Sequence, residues 1–596
     1  MTESNAMRST ARAAEIFAVA LTFLLPLKFG ALTGVAEVAS FYPDSVFAWI
    51  IVTWPPALFT LSAGVLLALT TLIPGPGLAS GLRASPAVPL LWTGLALAGL
   101  AGYIRAVPPD YAAQYITHLT GLAAFAWAVC ALIGRRPELL RTLLITAAAA
   151  TLIAALDGVY QFFTGFEETR DFAYQQELNS GVSFVDGNFK TRLYESRVFS
   201  TFSLCNSFAA HLLLTIPLCV WAVLRFAGRV EPPKVSRAVF GGAAAALLFA
   251  MLFLTESRAS WVSFVAAAAL SAMLVRFPLK IKAGIVTAGI LAAAALFIFF
   301  MLSHRGLASL GVRFDYWTAS VKIFLSHPLE GAGWGGFFHD YMLIKTWPSD
   351  EAPHSPHNFI LTFASQTGAA GLVFSCAALF WPLWRGARRL WGRPFREMIK
   401  SLDFALFLGL LAWVFHSLAD LNFEVGGSAA TAILISAALC RRDSDGPAPG
   451  PGLAAAVRVF MLFLTASAVW MSMTMIRRDL ALAELQSLCD FRFKTREEFA
   501  AVTPEMVLRQ LRLCSGINPD SPFPWASAAD FMMTRGRVQA AKDMYTEAAR
   551  RSPARPAFYY RLYLINKALG NGAEAIKNLE TAQKLFPKNE KYRVGR

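Results

Sequence analysis

Thirteen apolar stretches divide the first 475 residues of this chain, and they leave it few folds to adopt. They fall at 15–34, 46–73, 87–104, 115–133, 142–163, 203–224, 238–255, 261–275, 283–302, 357–383, 401–418, 428–440 and 453–475. A helix that crosses a bilayer needs roughly 20 mostly apolar residues, and these runs meet or approach that length. Backbone polar groups in lipid must be satisfied within the segment, which a helix does by itself. The pattern therefore predicts an all-α, polytopic membrane protein with about 13 transmembrane helices. The run 46–73 holds Trp54-Pro55-Pro56 and is expected to kink or to be partly re-entrant. The first run also fits a cleaved signal peptide, with Arg8 and Arg12 before it and small residues near Val35-Ala36 after it. Cleavage would leave twelve spans and the same topology.

Charge decides how such a chain is oriented. The net charge is +15, from 54 Lys+Arg against 39 Asp+Glu. Only 16% of residues are charged, whereas soluble domains run near a quarter, so one large soluble enzyme is excluded. A basic balance has two readings, nucleic-acid binding and cationic cytoplasmic loops between spans. The apolar runs favour the second and leave no role for nucleic acid. With the N-terminus cytoplasmic, the inside loops hold the larger share of the cations, including Arg385, Arg388, Arg389, Arg393, Arg396 and Lys400 in one loop. Thirteen spans then put the C-terminus outside, although Arg477 and Arg478 just past the last span count against it. Seven cysteines without a CxxC exclude a disulfide scaffold and a Cys-type metal site; Cys130, Cys219, Cys376 and Cys440 read as small core residues.

Composition shifts near 475. The chain is thus expected to divide into a membrane domain, 1–475, and a polar outer domain, 476–596. In the second part Pro522, Gly536, Ala541, Tyr545, Ala548 and Pro553 are followed 34 residues later by Pro556, Gly570, Ala575, Leu579, Ala582 and Pro587. That period and order are the tetratricopeptide pattern of stacked helix pairs. Residues 488–521 read as a degenerate earlier repeat. Cys489 and Cys514 fall inside it, and either a disulfide or a free buried pair fits them.

Two outside loops are long, 164–202 and 303–356, and long loops tend to carry function. The second contains an amphipathic stretch from Phe314 through Leu325, expected as a helix at the interface. Arg197 precedes Asn206-Ser207-Phe208-Ala209, and Arg258 closes the short turn Thr255-Glu256-Ser257. Arg313 and Trp317 open the second loop, which runs on through His327-Pro328-Leu329 and Gly331 to Gly336 and ends at His354-Ser355-Pro356-His357-Asn358. A further outside turn holds Asp420, Asn422 and Glu424. An arginine at a membrane face has a plain reading as a snorkelling anchor. Such anchors prefer the cytoplasmic side, so three on the outer side point to an anion, for which the guanidinium fork is suited. A lone His at a span end is ordinarily a cap or interface residue, while its neutral imidazole can also take a proton from a hydroxyl. His354 and His357 have a metal-pair spacing, but Pro356 between them spoils a regular face and no third ligand is near. Gly331, Gly333 and Gly336 spell G-x-G-x-x-G without the surrounding strand and helix of a dinucleotide site, so tight turns or close backbone approach are expected of them.

Taken together these residues resemble the O-antigen ligase family, which includes O-antigen polymerases and protein O-oligosaccharyltransferases. The most specific match is His357-Asn358, nine residues, then Gly368-Ala369-Ala370-Gly371. Arg313 to Trp317, His327-Pro328-Leu329 with Gly331 and Gly333, and Ser257-Arg258 are also similar. Arg197 with Asn206 to Ala209 matches except that Cys205 stands where the family has Pro. The likeness covers roughly 190–440. It implies a GT-C-type, metal-independent glycosyltransferase with no cofactor, in the bacterial inner membrane. The donor would be a glycan on undecaprenyl pyrophosphate at the periplasmic face. The acceptor would be lipid A-core, a growing glycan or a protein. His357 would be the acceptor base, and Arg258 and Arg313 would hold pyrophosphate, with Arg197 as a further donor-site cation. Asn358, Trp317, His354, Asp420 and Glu424 would be further substrate contacts; an arginine-paired turn explains Asp420 and Glu424 equally well. The repeats add a concave face suited to a protein acceptor or assembly partner.

Two other classes compete. A transporter should carry ionisable residues within its spans and often an internal repeat, whereas Lys28, Asp157 and Asp403 are isolated or near span ends. A non-catalytic envelope scaffold acting through the tail alone leaves the outer His and Arg set without a role.

Overall fold

The computed structural model describes residues 2–73, 85–180, 193–302, 306–346, 352–441, 450–490 and 494–593. Parts of both long loops (181–192, 303–305 and 347–351) lie outside the described residues. Among the described residues the regular structure is helical, with only isolated bridges between extended segments. Among the described residues nine helices are long and apolar enough to cross a membrane, beside four shorter apolar helices, Pro56–Thr71, Arg258–Leu274, Leu402–Ser417 and Gly426–Cys440. The protein is therefore an all-α, multi-pass membrane protein.

The four short helices depart from the expectation of thirteen full spans for a physical reason. Gly426–Cys440 is buried at every residue, so protein and not lipid surrounds it, and it need not match the bilayer thickness. The run 46–73 is broken at Pro55-Pro56, where neither proline supplies an N–H. One piece is the short helix Val46–Ile51, which buries none of its residues. The other is Pro56–Thr71, which packs on Asp110–Arg135. Lys28 donates to the carbonyls of Ile50 and Val52 and so closes the C-terminus of the short helix. Asp157 accepts from Ser200 Oγ at 2.9 Å, and Asp403 pairs with Arg441 at 2.8 Å. These three in-span charges have structural partners.

Polar and backbone contacts tie the connections between the apolar helices together at two ends. One end carries the Arg389–Asp403–Arg441 cluster. At the other end residues 29–33 form a strap through the loops. Ser203 N donates to Gly30 O at 3.0 Å, Thr33 N to Glu424 O at 2.9 Å and Gly427 N to Phe29 O at 2.8 Å. Here too lie the ends of both long loops. The first begins as helix and not as loop: Pro137–Tyr160 passes through a π-helical turn, Gln161–Gly165, into the polar helix Phe166–Ser180. In the second, Gly306–Ser326 is a helix, as the amphipathic stretch predicts, followed by the short helix Gly336–Ile344.

The Gly-x-x-Gly element has a clear mechanical role. Helix Phe359–Leu390 is broken at Gly368, whose φ is 72°. The gap receives the glycine-rich loop: Ala369 N donates to Pro328 O at 2.7 Å and Ala332 N to Ser365 O at 2.8 Å. A Cβ on Gly368 would lie 2.1 Å from Leu329 O, and one on Gly331 would lie 2.4 Å from the Gln366 carbonyl carbon. The glycines thus serve close backbone approach, as expected. Gly368→Ala should lower stability by about 2 kcal/mol or more through left-handed strain and this clash. A thermal melt of the purified protein in detergent checks it; an unchanged midpoint contradicts the account.

The tail is continuous with the membrane part. Helix Pro451–Cys489 passes position 475 without a break, and its Ala481 and Leu485 join an apolar core with Val507, Leu511, Phe531 and Met544. The 34-residue period appears as helix pairs, Phe523–Thr534 with Val538–Arg551 and Pro556–Ala568 with Gly572–Leu585. Gly536 and Gly570 occupy the equivalent turns at φ 67° and 77°, and Ala541, Ala548, Ala575 and Ala582 are buried between helices. Cys489 and Cys514 are free thiols, the second donating to Ala481 O at 3.3 Å.

Candidate functional site

Three non-glycine residues among those described have left-handed backbone: Ser200, Glu256 and His357, at φ 50°, 52° and 52°. Such conformations cost energy and concentrate where function requires them. All three sit at the loop-rich end. Ser200 follows Arg197 by three residues, Glu256 precedes Arg258 by two, and the third is the candidate base itself. Ser200 and Glu256 stand in the polar segments beside Arg197 and Arg258, but their left-handed backbone was not readable, because backbone strain has no residue-level signature.

Asp420 organises the centre. Its carboxylate is buried and lies 3.9 Å from Arg313 Nη2. One oxygen accepts from the Leu421 amide at 2.8 Å, and the other has no hydrogen bond. Burial pushes this carboxyl up, but the His416 and His357 rings, Arg313 and the Leu421 amide outweigh it and hold the group below the ordinary carboxylate value. Asp420 is thus an anion facing both candidate side chains. The sequence pattern allowed an arginine-paired turn here, and that pairing is present.

A relay missed by sequence reading links the centre to the Arg258 turn. Asn422 Nδ2 donates to Ser417 Oγ at 2.8 Å and Trp413 O at 3.3 Å. Its oxygen therefore faces His416 Nδ1, 3.0 Å away. That places the His416 proton on Nδ1 and leaves Nε2 as acceptor toward Ser257 Oγ at 3.4 Å. Arg258 follows as the first residue of helix Arg258–Ser271. Arg197 is held by the same turn: Nε donates to Thr255 O at 3.1 Å and Nη2 to Asn206 Oδ1 at 3.2 Å. Gln161, in the π-helical turn, accepts from the amides of Phe199 and Ser200 at 2.8 Å each and fixes the segment beside Arg197.

His357 is half-buried and stacked on Tyr316, with centroids 6.0 Å apart and an interplanar angle of 22°. It also lines a cavity of about 600 Å³ bounded by Thr33, Trp54, Gln114, His118 and Asp479. Among the cavity-lining residues there is no Arg or Lys.

The remaining expected contacts are placed differently. Asn358 caps helix Phe359–Leu390, accepting from Leu361 N at 3.0 Å and donating to Leu418 O at 2.8 Å. Trp317 packs edge-on to Phe314 at 5.4 Å, and its indole N–H has no hydrogen-bond partner. Glu424 is buried against Tyr115, whose hydroxyl donates to it at 2.8 Å; burial pushes its carboxyl up to about 8. His354 pairs with Glu37 at 3.0 Å and stacks on Phe338 at 5.1 Å. His354 and His357 thus face different partners. Glu37 also pairs with Arg555 of the tail at 2.8 Å and accepts from Tyr111 at 2.5 Å. Among the described residues no three His, Cys, Asp or Glu side chains gather as a metal site.

The fold and this cluster define a multi-pass membrane protein with buried, paired ionisable groups beside an open cavity at one end of the bundle. Residues 243–376 match the family model described as O-antigen ligase, so the chain carries an O-antigen ligase domain. The match includes Arg258, Arg313, Trp317, His354, His357, Asn358 and Gly368; Arg197, Asp420 and Glu424 lie outside it. No curated protein matches the chain. The domain supports ligase-like glycan transfer, hence a glycosyltransferase-type enzyme acting on a lipid-linked glycan and an acceptor.

Proposed function

We propose that this protein transfers a glycan from undecaprenyl pyrophosphate to an acceptor hydroxyl at the periplasmic face of the bacterial inner membrane, without a metal. The observation that supports the reading is the buried Asp420 carboxylate, 3.9 Å from Arg313 and held below its ordinary value in part by His357, a residue that lines an open cavity. In this reading the donor's pyrophosphate rests against Arg313, Arg258 and Arg197. The acceptor hydroxyl enters from the cation-free cavity. His357 takes its proton as the acceptor oxygen bonds to the anomeric carbon. The bond from that carbon to the pyrophosphate oxygen breaks, and its electron pair leaves on the lipid pyrophosphate. The arginines stabilise the charge gathering there, and the Asp420 carboxylate stabilises the imidazolium.

Orientation follows the cation bias of the loops. It puts the end bearing His357, and the tail from 476 to 596, in the periplasm. The test is to incubate purified protein with an undecaprenyl-pyrophosphate glycan and offer lipid A-core, a second lipid-linked glycan and a Ser/Thr-rich protein separately. Glycan should move to one acceptor at a rate unaffected by a chelator. No transfer to any of them contradicts the reading, and loss of activity with chelator contradicts its metal independence.

A further inference from the structure

Besides the concave face expected of its repeats, the tail has a last helix pair that continues the packing of the loop holding the candidate base. One apolar cluster contains Tyr316 of helix Gly306–Ser326, Phe337 and Tyr341 of helix Gly336–Ile344, and Leu579, Phe586 and Tyr592 of the tail. Within it runs a chain of ring contacts. Lys345, itself buried, lies over Phe586 at 5.2 Å and over Tyr341 at 5.6 Å. Tyr341 meets Tyr316 edge-on at 5.1 Å, and Tyr316 stacks on His357 at 6.0 Å.

Polar contacts hold the tail in the same place. Arg555 pairs with Glu37 at 2.8 Å, and Glu37 pairs with His354, three residues before His357. Asn518 Nδ2 donates to Asp110 Oδ1 at 2.6 Å, and Arg478 pairs with the same oxygen at 3.0 Å. Gln486 donates to Glu37 O at 2.8 Å and accepts from Ala39 N at 3.0 Å. A detachable module would not bury charged pairs against segments 368 and 518 residues earlier in the chain, because such pairs are costly unless their partners are fixed.

We infer that the C-terminal repeats are an arm of the candidate active site: the last pair fixes Tyr316, and Tyr316 fixes the imidazole of His357. Tyr316 and Phe586 are then positioning residues. The inference rests on the reading of His357 as base, but the physical coupling does not. Small misplacements of a reacting group lower rates steeply.

The experiment uses the full-length protein in nanodiscs and the variants Phe586→Ala, Phe586→Leu and Tyr316→Leu. Amide exchange over 306–346 should speed up about tenfold in Phe586→Ala while exchange in the bundle helices stays as it was. Glycan transfer should fall by about tenfold in kcat in Phe586→Ala and Tyr316→Leu. The acidic limb of kcat against pH should also shift, whereas a smaller folded fraction would only scale the curve. Phe586→Leu keeps an apolar group and should fall between wild type and Phe586→Ala; it also serves if the alanine variant does not accumulate. Unchanged exchange over 306–346, or a curve that is scaled without shifting, overturns the inference. If the wild type moves no glycan, the proposed function fails, and the exchange measurement still decides whether the tail holds the loop.

Discussion

His357→Ala should reduce glycan transfer by about 10²–10⁴-fold, the range a positioned acid or base contributes. The side chain is half-buried, so removing it leaves no large cavity. Alanine at φ 52° bears the same backbone strain as histidine, so the change tests the imidazole and not the conformation. His357→Gly separates the two: glycine relaxes the backbone and should be equally inactive. The measurement is single-turnover transfer from a lipid-linked donor, with gel filtration and circular dichroism as controls for folding. Full activity removes His357 from the mechanism. Asp420 is the competing base. It is held anionic by its neighbours, and if Asp420→Asn abolishes the reaction while His357→Ala does not, the roles must be exchanged.

Arg313→Ala should lower kcat by about 10²–10³-fold, comparable to deleting one preorganised donor at a developing negative charge. Arg313 is a quarter exposed, and its separation from Asp420 is 3.9 Å, too long for a hydrogen bond. The guanidinium is therefore anchored electrostatically without being locked into a fork on that carboxylate. Arg313→Lys keeps the charge but loses the planar fork, and it should recover only part of the rate. Removing the cation also strips a buried carboxylate of a partner, which destabilises by itself. The double variant Arg313→Ala/Asp420→Asn is the control. It should melt close to the wild type and remain inactive. A double variant with wild-type transfer rates would show that the pair serves stability alone.

Much of the fold was legible because apolar length is a property of the sequence alone. Each apolar run became a helix, and Pro55-Pro56 broke the one run they interrupt, since missing N–H groups act locally. The period of 34 in the tail became helix pairs with glycine in each turn. The spacing from His357-Asn358 to Gly368 was visible as a motif, and the structure gives its mechanics: a capping amide at one end and a kink that admits a loop at the other. Less was legible at the site. Asn358 precedes an apolar run and was readable as an N-cap, yet its place beside His357 directed attention to substrate. Gln161 and His416 gave no signal, and Ser200 and Tyr316 were visible only as members of a polar segment and an amphipathic stretch, because their roles come from contacts with distant segments.

The sequence by itself determined that this chain is a helical membrane protein and roughly where its apolar helices lie. These follow from local costs: an unsatisfied peptide group in lipid, a proline without its donor, a side chain at positive φ. Tertiary structure alone decided which residues meet. It set Asp420 3.9 Å from Arg313, turned Glu424 toward Tyr115 and His354 toward Glu37, and brought Phe586 into the cluster that contains Tyr316. A buried charge is tolerable only beside its partner. Which partner that is depends on how thirteen helices pack and where their connections return, and no local stretch of sequence contains that information.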